Sequence, residues 1–313
     1  MLVFAINIFL VQLPLPRSEQ NATKNVGRRM PVLDFESAAM LKRALLSLLL
    51  VPALLGLAWA GDGKSTVNAQ VDRDYVLTQK SVPVFTYKAL RSFPHESSSY
   101  TEGLVIDDGS LYEGTGRYGR SALYRKELLG GAPVKSLSLD DAHFGEGVTV
   151  MGDRLYQLTY KSNLGFIYDK TSFQRLGEFS YDAQGWGLTH DGQELIMSNG
   201  SAALVFLDPK TFLPTHRLIV TDERGPIGFL NELEYVDGQI YANIWQTDLI
   251  ARIDAKTGKV SAWIDLTGLN PDTDLYAYPF VLNGVAYNPA TGKLWVTGKC
   301  WPSIWEIDLI PKP

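Results

Sequence analysis

Residues 145–161 read GEGVTVMGDRLYQLTYK, and this stretch decides the fold. An apolar run with β-branched residues leads into a turn at Gly152, and a second apolar run with leucine and tyrosine follows it. Short runs of this kind on both sides of a glycine turn are typical of a β-hairpin. We therefore predict two short antiparallel strands here.

The same pattern recurs five times after residue 100. The turn glycines lie 40 to 54 residues apart, and they are Gly109, Gly152, Gly192, Gly238 and Gly292. A period of this length, with about four strands in each copy, is typical of a propeller blade. We therefore predict an all-β fold, a five-bladed β-propeller, over residues 81–313. A β-sandwich with accidental regularity is the alternative, which five copies in register disfavour.

The first 80 residues differ in character from the repeat. Residues 40–60, MLKRALLSLLLVPALLGLAWA, combine a basic start, an apolar run and the small-residue motif AWA, as in a cleaved signal peptide. The apolar run is short for a helix that anchors a protein in the membrane. We predict a non-native extension at 1–39, a signal peptide at 40–60 and a flexible lead-in at 61–80. The mature protein is then exported, to the periplasm or the medium, without stable membrane association.

Composition excludes several classes of function. The 313 residues carry a net charge of −5, which disfavours nucleic acid as a partner. A single cysteine, Cys300, allows no internal disulfide. Together with the four histidines of the chain, it gives no evident Cys/His zinc site.

The repeat also predicts where polar residues gather. In a propeller the first strand of each blade lines the central channel and the second runs back, so that the start of the first and the end of the second share one face. The residues before the first-strand glycine are Glu102, Glu146, Trp186, Asn231 and Asn283, and those ending the second strand are Gly116, Tyr160, Gly200, Trp245 and Lys299. In the fourth copy Glu232 replaces the glycine. Carboxylates, amides, an ammonium and aromatic rings around one opening are typical of a small-molecule pocket. Blade packing is the alternative interpretation, and for Asn283 the two are balanced.

At these residues the chain resembles the plant-type glutaminyl cyclases, the glutamine cyclotransferase family. The segments that carry the resemblance include YTEGL, FGEGVT, GWGLTHDG, LNELEY, IYANIWQTDLIARID and LNGVAYNPATGKLWVTGK, and it covers nearly all of 81–313. It implies a five-bladed propeller that converts N-terminal glutamine to pyroglutamate with release of ammonia. The implied partners are N-terminal glutaminyl peptides or proteins, or free glutamine.

The resemblance also implies roles for individual residues. The acid of FGEG, Glu146, is similar to the family's catalytic carboxylate, and two tryptophans are similar to those of its pocket. These two tryptophans are Trp186 and Trp245. Asn231 and Lys299 match the family's polar site residues, and Phe144 and Tyr100 match its aromatic lining. The chain departs from the family at Glu102, where many members have Gln, and at Tyr160, where many have Trp.

The reaction sets three tasks. The α-amine must lose a proton, the developing oxyanion must be stabilised, and the leaving nitrogen must gain a proton. Glu146 among aromatic rings has the desolvation that tunes a carboxyl group for both proton transfers, and the second carboxylate, Glu102, is expected to raise its pKa further. Asn231 would donate to the γ-carbonyl oxygen, and Lys299 would add charge or hold the substrate backbone. The scheme requires no metal and no other cofactor.

Two other classes fit the same ring. One is a non-catalytic propeller that binds a peptide or a sugar. The other is a calcium-dependent propeller hydrolase or lactonase, whose ligands would be Glu102, Glu146, Asn231 and Asn283. An ammonium at the same opening, that of Lys299, disfavours a dication there.

Overall fold

A computed structural model describes residues 71–128, 132–270 and 279–312. The predicted extension at 1–39 and the predicted signal peptide at 40–60 lie outside these residues. None of the helices that are described is long and apolar enough to cross a membrane.

The described chain is nearly all β-structure, with one short helix, α1 (Arg73–Thr78). The strands, in chain order, are β1 (Val84–Pro94), β2 (Thr101–Asp107), β3 (Ser110–Thr115), β4 (Ala122–Glu127), β5 (Lys135–Ser138), β6 (Gly145–Met151), β7 (Arg154–Thr159), β8 (Leu164–Asp169), β9 (Arg175–Ser180), β10 (Leu188–His190), β11 (Leu195–Met197), β12 (Ala203–Leu207), β13 (Pro214–Ile219), β14 (Thr221–Asp222), β15 (Gly225–Pro226), β16 (Leu230–Val236), β17 (Gln239–Ile244), β18 (Leu249–Asp254), β19 (Val260–Asp265), β20 (Leu282–Asn288), β21 (Lys293–Gly298) and β22 (Ser303–Pro311). The prediction of an all-β fold is confirmed.

The strands form antiparallel sheets of consecutive strands. Three sheets have four strands each, β2 to β5, β6 to β9 and β10 to β13. An eight-stranded sheet has the order β16-β17-β18-β19-β1-β22-β21-β20. It consists of two four-stranded antiparallel halves, which the parallel pairing of β1 with β19 joins. The amino-terminal strand β1 thus lies beside the last strand of the chain.

The five repeat copies form the hairpins β2–β3, β6–β7, β10–β11, β16–β17 and β20–β21. They turn at the predicted glycines, as at Gly152, whose φ of 64° favours glycine. The first strands of the copies contact one another in sequence, β2 with β6, β6 with β10, β10 with β16 and β16 with β20, and β20 contacts β2. The starts of these strands, where the candidate residues lie, are therefore brought together.

A close approach of backbones lies behind the first-strand glycines. A β-carbon on Gly187 would lie 2.0 Å from the carbonyl oxygen of Asn231 on the neighbouring strand. A contact of that length is far inside van der Waals range, so that only glycine fits. In the fourth copy the replacing residue, Glu232, instead accepts backbone N–H bonds from Leu104 at 3.1 Å and Val285 at 2.7 Å. Glu232 therefore ties β16 to β2 and β20 rather than serving the opening.

Apolar side chains fill the space between neighbouring sheets. Leu158 of β7 and Ile167 of β8 belong to one buried cluster with Leu188 of β10 and Leu195 of β11. Such face-to-face packing of sheets buries both apolar surfaces.

Helix α1 corrects the expectation that residues 61–80 are a flexible lead-in. Asp72 caps the helix by accepting the N–H of Tyr75 at 3.2 Å. Val76 is fully buried in a cluster with Ile227 and Trp263. The part of the lead-in that is described therefore packs on the β-domain, because it carries its own cap and an apolar face.

Candidate active site

One cavity of about 180 Å³ opens where the first strands begin and the second strands end. Nine of the ten predicted site residues line it, namely Tyr100, Glu102, Phe144, Glu146, Tyr160, Trp186, Asn231, Trp245 and Lys299. Glu102, Glu146 and Asn231 are the second residues of β2, β6 and β16, whereas Tyr160, Trp245 and Lys299 directly follow second strands. The hairpin geometry therefore brings the residues at the starts of the first strands and those at the ends of the second strands to one place.

Asn283 is the predicted residue that does not line the cavity. Its side chain is fully buried, and its Nδ2 donates to the carbonyl of Thr101 at 2.9 Å and to Oε2 of Glu102 at 3.2 Å. The expectation of direct substrate contact is corrected to a contact with Glu102, because the amide is directed toward these acceptors. Asn283 therefore orients a cavity residue.

Lys299 and Glu102 form a buried ion pair. The Lys299 Nζ donates to both carboxylate oxygens, at 2.6 and 2.7 Å, and the two residues are 4% and 2% exposed. Burial raises the pKa of Glu102, and the Lys299 ammonium opposes this shift. The charge of Lys299 is thus largely compensated before any substrate binds.

Glu146 stands beside this pair and is itself buried. Its burial, and next to that the charge of Glu102, raise the pKa of Glu146 well above its usual value. The charge of Lys299 favours the ionised form of Glu102, whereas burial and the neighbouring Glu102 favour the protonated form of Glu146. The two carboxyl groups thus differ in what opposes their burial, and such a difference between neighbouring acids is typical of acid–base catalytic sites.

Asn231 completes the polar side of the cavity. It is 3% exposed, and its Oδ1 is buried without a hydrogen-bond partner among the described residues. A buried amide oxygen without a partner is costly unless a ligand satisfies it.

Aromatic rings form the remaining walls. Trp186 and Trp245 meet edge to face with 5.6 Å between ring centroids. Phe144 lies between Tyr100 and Tyr160, at centroid distances of 6.1 and 5.8 Å. These two groups of rings surround the carboxyl groups with apolar surface.

Two of the five residues at the ends of the second strands are glycines, and they make room for the aromatic side chains. A β-carbon on Gly116 would lie 2.2 Å from the ring of Phe144, and one on Gly200 would lie 2.6 Å from the ring of Trp186. The repeat therefore alternates missing and large side chains around the opening.

Two cations beside the cavity's aromatic rings were not predicted from the sequence. The Arg117 guanidinium lies 4.6 Å from the ring centroid of Tyr100, and the Lys161 ammonium lies 4.7 Å from that of Tyr160. Arg117 follows Gly116 and Lys161 follows Tyr160 in the sequence, and both preceding residues end second strands of the repeat. This adjacency could have predicted the two cations.

Cys300 is buried behind the opening. Arg117 donates to its Sγ at 3.5 Å, and burial raises the pKa of the thiol. A thiol with a raised pKa is a poor nucleophile, which agrees with the interpretation of Cys300 as a small buried residue.

The chain is similar to several known proteins. Residues 61–309 match the family model described as glutamine cyclotransferase. A glutaminyl-peptide cyclotransferase of Arabidopsis thaliana is 36% identical over 226 residues, which make up 71% of each chain. The crystal structure of the Myxococcus xanthus glutaminyl cyclase is similar with a TM-score of 0.69 at 32% identity, over 74% of this chain and 100% of that one.

Proposed function

This chain belongs to the glutamine cyclotransferase family, and from that premise we propose that Glu146 moves the protons while an N-terminal glutamine closes to pyroglutamate. The activity is that of a glutaminyl-peptide cyclotransferase, and the substrates are peptides that begin with glutamine. The observation that carries the proposed mechanism is the buried cluster of Glu102, Glu146 and Lys299 in the aromatic cavity.

The proposed fold is a five-bladed β-propeller. Three four-stranded sheets and the two halves of the eight-stranded sheet supply five units of four strands. Mutual contacts among their first strands, and apolar packing between neighbouring sheets, support this arrangement.

The chemistry is an intramolecular acyl transfer, in which the γ-acyl carbon exchanges its amide nitrogen for the α-nitrogen and Glu146 gives up one proton and regains one. The neutral α-amine attacks the γ-carboxamide carbon, which forms the ring C–N bond and places charge on the oxygen. Glu146 gives its proton to the leaving nitrogen, the C–N bond to that nitrogen breaks, and ammonia departs. The carboxylate regains a proton from the ring nitrogen, so that Glu146 ends as it began. One carboxyl group therefore serves as acid and then as base.

The neighbours of Glu146 have separate tasks in this proposal. Lys299 holds Glu102 ionised, and this anion keeps the proton on Glu146 until the leaving nitrogen needs it. Asn231 donates to the γ-carbonyl oxygen, and its unpartnered Oδ1 accepts an N–H of the attacking amine. Trp186 and Trp245 enclose the substrate in the folded conformation that ring closure requires, and such positioning contributes several kcal/mol.

The direct test is turnover of a Gln-initiated peptide. Ammonia release and a matching mass loss of one ammonia per peptide are expected, with equal rates before and after dialysis against EDTA. A folded protein that binds the peptide without releasing ammonia is a binding protein. Loss of turnover on chelation and its recovery with calcium identify a metal-dependent enzyme, which the ammonium of Lys299 beside Glu102 disfavours.

We also propose that the protein is exported, to the periplasm or the medium. The basic start, apolar run and AWA motif of residues 40–60 support this, and the family match begins at residue 61. N-terminal sequencing of the exported protein is expected to start near Gly61, and a mature chain that retains residues 1–39 contradicts the proposal.

A further inference from the structure

Arg117 and Lys161 stand at the two ends of one aromatic wall. This wall consists of Tyr100, Phe144 and Tyr160, which also line the cavity. The guanidinium of Arg117 lies over Tyr100 and the ammonium of Lys161 over Tyr160, at 4.6 and 4.7 Å from the ring centroids. Such cation–π contacts hold both cations beside rings that line the cavity.

Neither cation forms an ion pair with a carboxylate of the described residues. The hydrogen bond that the Arg117 guanidinium donates goes to the Sγ of Cys300, a weak acceptor. Asp141 lies beside the same loop, near Gly119, without pairing with Arg117. The chain as a whole is acidic, with a net charge of −5, so that two unpaired cations at this place are not part of a generally basic surface.

The backbone holds Arg117 in a conformation that is costly for arginine. Its φ is 98°, in the region that favours glycine and costs other residues about 1–3 kcal/mol. Ser121 fixes the loop, since its Oγ donates to the carbonyl of Arg117 at 2.8 Å and accepts the N–H of Gly145 at 2.9 Å. Gly145 precedes Glu146, so that the position of Arg117 is tied to that of the proposed proton-transfer residue.

The turn of Lys161 is fixed in a similar way. His143 and Ser162 form a hydrogen bond of 2.9 Å beside Phe144, and the side-chain amide of Asn163 donates to the carbonyls of Tyr181 and Ala183, at 3.0 Å each. These hydrogen bonds therefore fix the backbone on both sides of the wall, which lowers part of the entropic cost of binding an anion.

The cavity encloses about 180 Å³, and we place the glutamine side chain of the substrate in it. The group beyond the α-carbon then extends past the aromatic wall that Arg117 and Lys161 flank. We propose, on the basis of the function above, that these two cations select substrates with a carboxylate next to the glutamine. The carboxylate is either the side chain of an acidic second residue or the α-carboxylate of free glutamine.

The test compares kcat/KM across matched substrates. Gln-Glu-amide, Gln-Ala-amide and Gln-Lys-amide vary the second side chain, while free glutamine and its α-amide vary the α-carboxylate. We expect the carboxylate-bearing substrate to be favoured about two- to fivefold over its neutral counterpart in at least one of these two arms, as exposed charge pairs of up to about 1 kcal/mol predict. The arm that shows the preference identifies the source of the carboxylate.

The variants Arg117→Leu and Lys161→Met are expected to remove this preference, together more than singly. Arg117→Gly is the second variant for Arg117, because glycine adopts the positive φ freely and folding is not at risk. Arg120→Leu is the matched control, since Arg120 is an exposed cation of the same loop whose side chain contacts none of the cavity rings among the described residues. The preference should also shrink at about 1 M salt, where the screening length is about 3 Å.

Equal kcat/KM in both arms, or a preference that survives in the double variant, overturns the selection of carboxylates. Turnover of Gln-Ala-amide by the wild-type protein tests the proposed function separately. If that turnover is present while the preference is absent, the function stands and the selectivity does not.

Discussion

Glu146→Gln is the substitution that tests the proposed mechanism most directly. Gln keeps the size and much of the hydrogen bonding of Glu146 but cannot carry a proton between the amine and the leaving nitrogen. General acid–base catalysis contributes about 10²–10⁴-fold, or about 2.7–5.4 kcal/mol of the barrier. We expect kcat for a Gln-initiated peptide, followed by ammonia release, to fall by at least about 10²-fold.

The same variant changes stability in a pH-dependent way. The pKa of Glu146 is raised in the folded protein, so that its contribution to stability is fully present below the unfolded-state pKa and is lost as pH rises toward the folded-state pKa. Gln does not titrate, and the variant should therefore gain in melting temperature relative to the wild type as the pH is raised from about 5 to about 8. Glu127→Gln, at an exposed glutamate of β4, is the control and should change neither quantity.

Near wild-type kcat in Glu146→Gln would refute the assignment of the proton-transfer group. A melting-temperature difference that does not vary with pH would refute the protonated state assigned to Glu146. If Glu102→Gln is the inactive variant instead, the roles of the two carboxyl groups are exchanged.

Three further results are expected. Glu102→Gln removes the anion that raises the pKa of Glu146, so that the alkaline limb of the pH–rate profile should move to lower pH while turnover persists; an unmoved limb contradicts the coupling. Gly187→Ala puts a β-carbon 2.0 Å from a backbone oxygen of the next strand and should lower the free energy of unfolding by at least about 1–3 kcal/mol in a denaturation assay. Gly177→Ala is the control and should be tolerated in the same assay, because the nearest contact of its β-carbon is 3.7 Å away. Glu113→Gln removes a buried carboxylate whose pKa is held at about 2 despite its burial; the wild type should lose stability as pH falls from about 4.5 through about 2, and the variant should lack that dependence in acid titrations, at a cost near neutral pH of about 3–5 kcal/mol.

The cavity was predictable from the sequence because a repeated hairpin fixes direction as well as spacing. Once Glu146 and Tyr160 are placed at the start and end of one hairpin, the same positions of the other copies must lie at the same edge. This argument needs only the two-residue periodicity of strands and the turn glycines.

The features that could not be predicted from the sequence depend on contacts between different hairpins of the repeat. Whether Lys299 faces the substrate or a carboxylate is decided by the position of Glu102 on a different hairpin. Asn283 occupies a ring position yet is directed toward Thr101 and Glu102, which a repeat alignment cannot express. Helix α1 is too short for periodicity to reveal, and its burial comes from the sheet it covers.

The pairing of β1 with β22 has a consequence for how the molecule is made. Arg91 of β1 and Glu306 of β22 meet across 215 residues of sequence, and the same sheet half carries Lys299 at the end of β21. Because closing so long a loop costs chain entropy, the contacts between β1 and β22 form at a late stage of folding. During synthesis, β1 is made long before β22, so that most of its pairing forms only after β22 has been made. Joining positions 85 and 311, which already face each other in register, and opening the chain at a hairpin turn such as that of Gly152 would convert this late step into a local one. Such a circular permutant should fold faster while keeping the same catalytic cavity.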